Sequence, residues 1–393
     1  MKRAAWLQDR RMQKFRDVLS RWESGDLSMM EAGELLGMSE RQFRRYRDRY
    51  DEEGLDGLID RRLGKSSPKR VPGKDKALML ELYGSSYRGW NVKHFHEHLV
   101  RHHGFRWGYT WVKTQLHAAG LVDRAKRRGA HRRKRERKPF EGMMLHQDGS
   151  RATWLSGQPA LDLIVTMDDA TSTIYSAFLV GEEGTASTFR ACLEVFAEQG
   201  LPSSLYTDRG SHYFYTPKAG GKVAKETPTQ VGRALAYLGI EHIPAYSPEA
   251  RGRSERMFGT LQERLPKELA LAGITEIEAA NRFIRQVYLP RHNARFARSA
   301  ACEGTAFVAV DPALLAETLC IEEERIVARD NTVAFGNRRL QLPASQARAH
   351  YVKANVKVRQ YPDGSLAVFH GPRRLARYGA TSDQPATDLK IAA

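Results

Sequence analysis

The chain is poor in cysteine, has no long apolar run and carries no excess of negative charge. Only three cysteines occur in 393 residues: Cys192, Cys302 and Cys320. They are too few and too far apart for a disulfide framework or a cysteine metal motif, which fits a reducing cytosol. No apolar run approaches the roughly 18 residues of a membrane span. The opening residues MKRAAWLQDRRMQKF are charged throughout, so no secretory signal and a cytoplasmic location are expected. These shortages set aside a membrane protein, a secreted mini-protein and a zinc finger. Hydrophobic residues make up 41%, enough for a sizeable core, so wholesale disorder is excluded as well. The length suggests two to four domains.

Positive charge is plentiful and unevenly placed. Residues 1–140 hold 34 Lys and Arg against 18 Asp and Glu, a net of +16; the remaining 29 and 28 leave +1. Such asymmetry points to a polyanion partner, and double-stranded DNA fits best because each neutralised phosphate releases condensed counterions. A merely solubilising surface is the alternative. The densest stretch, RAKRRGAHRRKRERK at 124–138, has ten basic residues and one acid. It reads as an exposed linker along a phosphate backbone, with Arg127, Arg128, Arg132 and Arg133 as contacts.

Met12, Phe15, Val18, Leu19 and Trp22 recur at helical spacing. Asp26 or Ser28 caps a second helix with Ala32, Leu35 and Leu36, and Gly37 turns the chain. Ser39 and Gln42 begin a third helix in a capping-box pattern. Its apolar stripe is Phe43, Tyr46 and Tyr50, and its other faces carry Arg41, Gln42, Arg44 and Arg45. Helix, glycine turn and basic helix predict a helix-turn-helix over 1–60, the last helix entering the major groove; a plain three-helix bundle with a solvated basic face is the alternative. A linker at 61–73 precedes a second helical DNA-binding unit at 74–122, where Lys113 is available to DNA. His94 and His98 in that unit have metal-ligand spacing. No carboxylate or cysteine nearby completes a set, so they read as part of a solvated face. The basic linker then spans 123–139.

After residue 140 the period shortens. The pattern predicts β-β-β-α-β-α-β-α, a mixed sheet with helices on its faces, and Asp168-Asp169-Ala170 reads as a hairpin turn. Asp148 ends the first strand in HQDGS, Asp208 ends the fourth in TDRGSHYF, and Glu255 lies early in the helix of SPEARGRSERMFGTLQERL. If the first and fourth strands are neighbours, Asp148 and Asp208 lie side by side. Glu255 falls roughly 60° from the centre of the helix's apolar stripe, within reach of the sheet end. Three carboxylates at one point call for a cation, and hard oxygen ligands suit Mg²⁺ or Mn²⁺. Two such ions about 3.5–4 Å apart serve phosphoryl transfer. Each acid taken singly is equally at home in a turn or on a helix surface. Arg209, His212, Arg251 and Arg253 flank the acids as candidate DNA contacts, or as plain salt-bridge partners.

On these three segments the chain resembles DDE transposases of the retroviral-integrase type, and among insertion-sequence enzymes the ISNCY group. The resemblance implies a ribonuclease-H-like core over 140–316, with Asp148, Asp208 and Glu255 as catalytic and metal-binding triad. It implies cleavage at transposon ends and transfer of the freed 3′-hydroxyl into target DNA. It also implies terminal inverted repeats as partners and a dimeric or higher synaptic assembly. One departure is visible: 46 residues separate Asp208 from Glu255, more than in the compact integrases, and TPKAGGKVAKETP at 216–228 reads as the inserted loop. Lys218, Lys222 and Lys225 in it are placed to touch DNA or simply to be solvated. Glu249 and Glu263 are rival third acids.

The tail of the chain turns to β. Five short strands over 317–378 predict a small β-barrel, followed by a frayed tail at 379–393. The expected fold is thus multidomain α/β: helix-turn-helix units, a ribonuclease-H-like mixed sheet and a C-terminal barrel. Two rival functions share parts of this pattern. A nuclease of the same fold would hydrolyse DNA without joining ends, and a silent DNA-binding regulator would need no triad.

Overall fold

The computed structural model describes residues 2–59, 70–124, 135–218, 221–224, 226–246, 252–344, 348–382 and 385. Arg127, Arg128, Arg132, Arg133, Lys225, Glu249 and Arg251 lie outside the described residues. Two units separate, Met1–Leu82 and Tyr83–Ala393.

The first unit is built by local signals that agree with its core. Helices α1 (Lys2–Glu23), α2 (Met29–Leu36) and α3 (Glu40–Glu53) follow one another closely. Ser28 caps α2 in a capping box with Glu31, and Ser39 Oγ accepts from the Gln42 N–H to open α3. Between them Gly37 adopts φ 68°, a left-handed turn that a side chain would strain. Gly33 lets the turn close: a Cβ there would stand 2.7 Å from the Met38 carbonyl. Phe15, Val18, Leu19, Ala32 and Phe43 form the buried core, with Leu36, Tyr46 and Tyr50 packed against it. One sequence expectation changes: Leu35 is exposed, because its helix is too short to bury two faces. After α3, Gly54–Leu58 forms a 3₁₀ turn that delivers Leu58 into the same core.

Helix α4 (Gly73–Ser85) crosses the division between the units. In the second unit α5 (Val92–His103) and α6 (Tyr109–Ala118) precede a five-stranded sheet of β1 (Leu145–Ala152), β2 (Leu161–Asp168), β3 (Ile174–Val180), β4 (Ser204–Thr207) and β5 (Glu241–Pro244). Its order is β3-β2-β1-β4-β5, with β1–β3 antiparallel and β1, β4 and β5 parallel. That order and polarity define a ribonuclease-H-like sheet, as expected. Helices α7 (Thr185–Gln199) and α8 (Gln230–Tyr237) cover one face through Phe189, Val195, Phe196 and Leu235. Helix α9 (Gly252–Leu271) covers the other through Phe258, Leu261, Leu265 and Leu269, joined by α10 (Ile277–Phe283) and α11 (Leu289–Phe296). Truncating one of those leucines to alanine costs about 2–5 kcal/mol.

Past α12 (Pro312–Thr318) the chain is β-structured, in two sheets that share one core. Strands β6 (Ile321–Ile326), β9 (Asn355–Gln360), β10 (Leu366–His370) and β11 (Arg373–Tyr378) make a four-stranded sheet, and β7 (Thr332–Phe335) pairs with β8 (Arg338–Gln341). A small β domain is present, but among the described residues the ladders do not close into a barrel. The sixth strand, β11, escaped the sequence reading because RRLARY buries only Ala376 and Tyr378.

Candidate active site

Strand β1 separates two kinds of side chain. Leu145 and Gln147 face α7: Leu145 lies in the α7–α8 core, and Gln147 donates to the Thr188 carbonyl. His146 and Asp148, one residue out of phase, point to the other face. The parallel register pairs His146 with Tyr206. Two residues on, the same register sets Asp148 level with Asp208, just past the end of β4. Glu255 comes from the first turn of α9. All three acids line one cavity of about 570 Å³, together with Gly149, Ser150, Arg209, Tyr246, Phe258, Gly259 and Gln262. Sequence reading had placed the acids but not Ser150, Tyr246 or Gln262. Gln262 follows Glu255 by two helical turns on the same side and donates to Ser150 Oγ at 2.9 Å.

The acids are held differently. Asp208 Oδ1 accepts the Gly210 N–H at 2.8 Å, which fixes its carboxylate over the turn that follows. Asp148 is 8% exposed, whereas Glu255 is exposed to solvent. The three are not drawn tightly together: among the described residues their ligand oxygens do not all fall within 4.8 Å of one another. Glu263 is exposed and does not line the cavity, which removes it as a third acid.

The flanking cations divide. Arg209 lines the cavity; it donates to the Gly221 carbonyl at 2.8 Å, and its guanidinium lies 5.1 Å from the centre of the Tyr246 ring. His212 does not line the cavity; its ring packs on Tyr213 and faces Glu183 at 3.6 Å. Arg253 turns inward and is bound by Asp169 and by the Arg135 carbonyl, so it is a structural cation here rather than a free one. Arg41, Gln42, Arg44 and Arg45 are exposed on α3, and Lys113 is exposed on α6.

Asp169, read from sequence as a turn residue, is completely buried and organises this region. It accepts from His146 Nε2 at 2.7 Å, from the Lys138 N–H at 2.8 Å, and from Arg135 and Arg253. Burial alone would raise its pKa, but these donors outweigh burial and hold it well below the usual carboxylate range. Burial keeps His146 below the ordinary histidine value, partly opposed by Asp169. Its neighbour Asp168 is pushed the other way, upward, by burial, despite donors from Gly142 and Thr171. The only sequence signal for this hub was an acidic pair next to an otherwise apolar strand.

A helix-turn-helix domain family matches residues 16–67. The chain is 30% identical over 357 residues to a Sinorhizobium fredii (strain NBRC 101917 / NGR234) protein named "Putative transposase y4bF", covering 90% of this chain and 77% of that protein. It is 26% identical over 351 residues to the transposase for insertion sequence IS1202 of Streptococcus pneumoniae, covering 80% and 74%. Among solved structures it is similar to a chain of the simian T-cell lymphotropic virus intasome, at 14% identity and a TM-score of 0.32 over 77% of this chain and 96% of that one. It is also similar to the HTLV-2 integrase catalytic core solved with magnesium, at 17% identity and a TM-score of 0.28 over 38% and 89%. The chain belongs to the insertion-sequence transposases. It is a DNA transposase, an enzyme of polynucleotidyl transfer with a helix-turn-helix at its N-terminus.

Proposed function

We propose that Asp148, Asp208 and Glu255 are the catalytic carboxylates, and that they bind two Mg²⁺ or Mn²⁺ ions during cleavage of transposon ends and strand transfer. The observation that carries this reading is their convergence, from two neighbouring strands and a helix, on one cavity. The donor set fits: three carboxylates offer only hard oxygen ligands. When bound, a pair of ions supplies positive charge opposite the attacking and leaving oxygens of an in-line phosphoryl displacement.

The protein's own residues then have distinct tasks. Asp148, Asp208 and Glu255 would hold the ions through their carboxylate oxygens. Arg209, held by Gly221 and Tyr246, meets the phosphate backbone at the cavity mouth. Gly259 leaves the wall of the cavity low, with no atom within 4 Å of where a Cβ would stand, so a nucleic-acid strand approaches α9 closely. Arg41, Gln42, Arg44 and Arg45 read the terminal inverted repeat, Lys113 and the basic linker with Arg127, Arg128, Arg132 and Arg133 follow phosphates, and two copies of the chain hold two ends. The region limits 1–60, 61–73, 74–122, 123–139, 140–316 and 317–378 belong to the same reading.

The test is strand transfer of a labelled transposon end into plasmid DNA with Mg²⁺ or Mn²⁺. Joined product is expected from the wild type. Asp208→Asn and Glu255→Gln each abolish both cleavage and joining while still shifting end DNA in a gel. Unchanged activity in Asp208→Asn overturns the assignment, and cleavage without joined product in the wild type favours a purely hydrolytic nuclease.

A further inference from the structure

The histidines of α5 do not form the solvated face that their sequence suggests. His94 is 2% and His98 3% exposed, and the carboxylate missing from the sequence pattern arrives from the far end of α9. His94 Nε2 lies 2.7 Å and His98 Nε2 2.8 Å from the same oxygen, Glu268 Oε1. The three ligand atoms all fall within 4.8 Å of one another, and no other three-residue set among the described residues does so. We propose that His94, His98 and Glu268 form a second metal site, for Zn²⁺ or a similar borderline divalent ion, separate from the acidic triad.

Four features support a metal here. Two imidazoles and a carboxylate are a borderline donor set that favours zinc over magnesium. The i, i+4 spacing puts both rings on one face of α5. The rings are fixed before any ion arrives: Trp90 stacks on His94 at 4.2 Å between centroids and meets His98 edge-on at 4.8 Å, and Tyr87 packs on His98 at 5.7 Å. Finally, the three residues line a cavity of about 510 Å³, which leaves an open side for a water as fourth ligand. The surrounding positive charge is partly neutralised, since Glu97 pairs with Arg264 at 2.8 Å and with Arg295 at 2.7 Å. Without metal, each Nε2–H donates to Glu268. With metal, those two protons move to Nδ1 of each ring and the Nε2 lone pairs face the ion.

The site is distinct from the triad. Glu268 follows Glu255 by 13 residues on α9, roughly 20 Å at 1.5 Å per residue. The consequence is mechanical. The ion would staple α5, from the second helical unit, to the helix that carries the third catalytic acid. The Arg264–Glu97 pair already joins α9 to α5, and Lys267 donates to the Gly89 carbonyl just before α5 at 2.9 Å.

The experiment uses full-length protein freed of metal by chelator, in an Asp208→Asn, Glu255→Gln background that disables the acidic site. One Zn²⁺ per chain is expected to remain bound through gel filtration, measured by mass spectrometry of the metal. Co²⁺ in its place is expected to give the strong visible bands of a four- or five-coordinate nitrogen-ligated ion. In the same background Glu268→Gln, which keeps size and shape, weakens zinc binding by more than ~100-fold, beyond the loss usual for a supporting residue. His98→Asn does the same, with circular dichroism checking that both variants fold. Zinc raises the thermal midpoint of the parent and leaves that of Glu268→Gln unmoved. Absence of bound zinc in the parent overturns the proposal and leaves a hydrogen-bonded bridge only. So does zinc retained undiminished in Glu268→Gln.

Discussion

Asp169 accepts a hydrogen bond from His146 Nε2 at 2.7 Å, and the same carboxylate oxygen is bound by Arg253. His146 precedes Asp148 by two residues on one face of β1, and Arg253 precedes Glu255 by two residues on α9. A single buried carboxylate therefore ties the strand of the first acid to the helix of the third. Two residues along a helix turn it by about 200°. Anchoring Arg253 on one flank of α9's buried stripe thus sets Glu255 on the other flank, at the cavity. Replacing Asp169 with Asn removes the charge but not the shape. We expect strand-transfer kcat to fall roughly 10–100-fold, as for residues that orient metal ligands, with end-DNA affinity unchanged and the Mg²⁺ concentration for half-maximal rate raised. An equal loss of DNA affinity, or no shift in Mg²⁺ dependence, would mean that Asp169 only supports the fold.

Gly149, beside Asp148, has no room for a side chain. An added Cβ would stand 2.2 Å from Glu183 Oε2. The Glu183 carboxylate must swing away, breaking its contact with the Tyr213 hydroxyl at 3.4 Å, to make room. Gly149→Ala is expected to destabilise the protein by about 1–3 kcal/mol through overpacking. Glu183→Ala in the same chain should recover most of that loss. Urea unfolding of the two single variants and the double variant checks it, and simple additivity would show that the contact is not the cause.

Much of this site was legible because its signals were local. Asp208 follows the end of a strand and Glu255 lies at the start of a helix, as their neighbours suggested. Asp148 instead sits mid-strand, because β1 runs on in its ladder with β2 to Ala152 rather than ending at the acid. Its place beside Asp208 needed β1 and β4 to be neighbours, which the sheet order supplies. The helix-turn-helix was equally local, since Ser28, Gly37 and Ser39 announce their own caps. What the sequence concealed depends on distant partners. Glu268 is 170 residues from His98, so a half-set of histidines looked solvated. Asp169 looked like a turn residue because the donors that bury it come from three separate segments. Strand β11 was hidden because its arginines outnumber its buried side chains. The barrel was expected because five strands alternate, but alternation says nothing of whether the last ladder closes.

Acid is predicted to loosen the catalytic core before it unfolds the rest. Burial, aided by His212, depresses His242 to about 4, and burial, aided by Arg264, depresses His292 to about 4. The unfolded chain, with histidine near 6.5, binds these two protons first. The contribution of these histidines is therefore full above pH ~6.5 and is lost as pH drops towards 4, below which Asp169 and Glu268, both held low, lose theirs in turn. Each histidine contributes roughly 3 kcal/mol across that window. Asp168, whose pKa burial raises, opposes the fall at the acid end. His242 packs under the second acid, bonded to Thr207 at 3.0 Å and stacked on Phe214. Urea midpoints between pH 7 and 4.5 should show a shallower slope in His242→Phe than in the wild type. Parallel slopes would remove His242 from the account.

Arg44 and Arg45 stand exposed on α3, clear of the Phe43 side that packs into the core, so their replacement tests recognition without touching folding. If both meet phosphates, Arg44→Ala with Arg45→Ala lowers the slope of log affinity against log salt by about 0.9 per contact and weakens all sequences alike. If either grips a base edge, affinity for transposon-end DNA drops by about 1–3 kcal/mol while affinity for random DNA changes little. Gel-shift titrations of the full chain on both DNAs, over a range of salt, separate the two outcomes. The side chain at 42 sharpens the choice: Gln42→Ala carries no charge change, so any loss it causes on end DNA comes from reading bases rather than from counterion release. A triple variant that binds both DNAs as the wild type does would show that α3 is not the recognition helix.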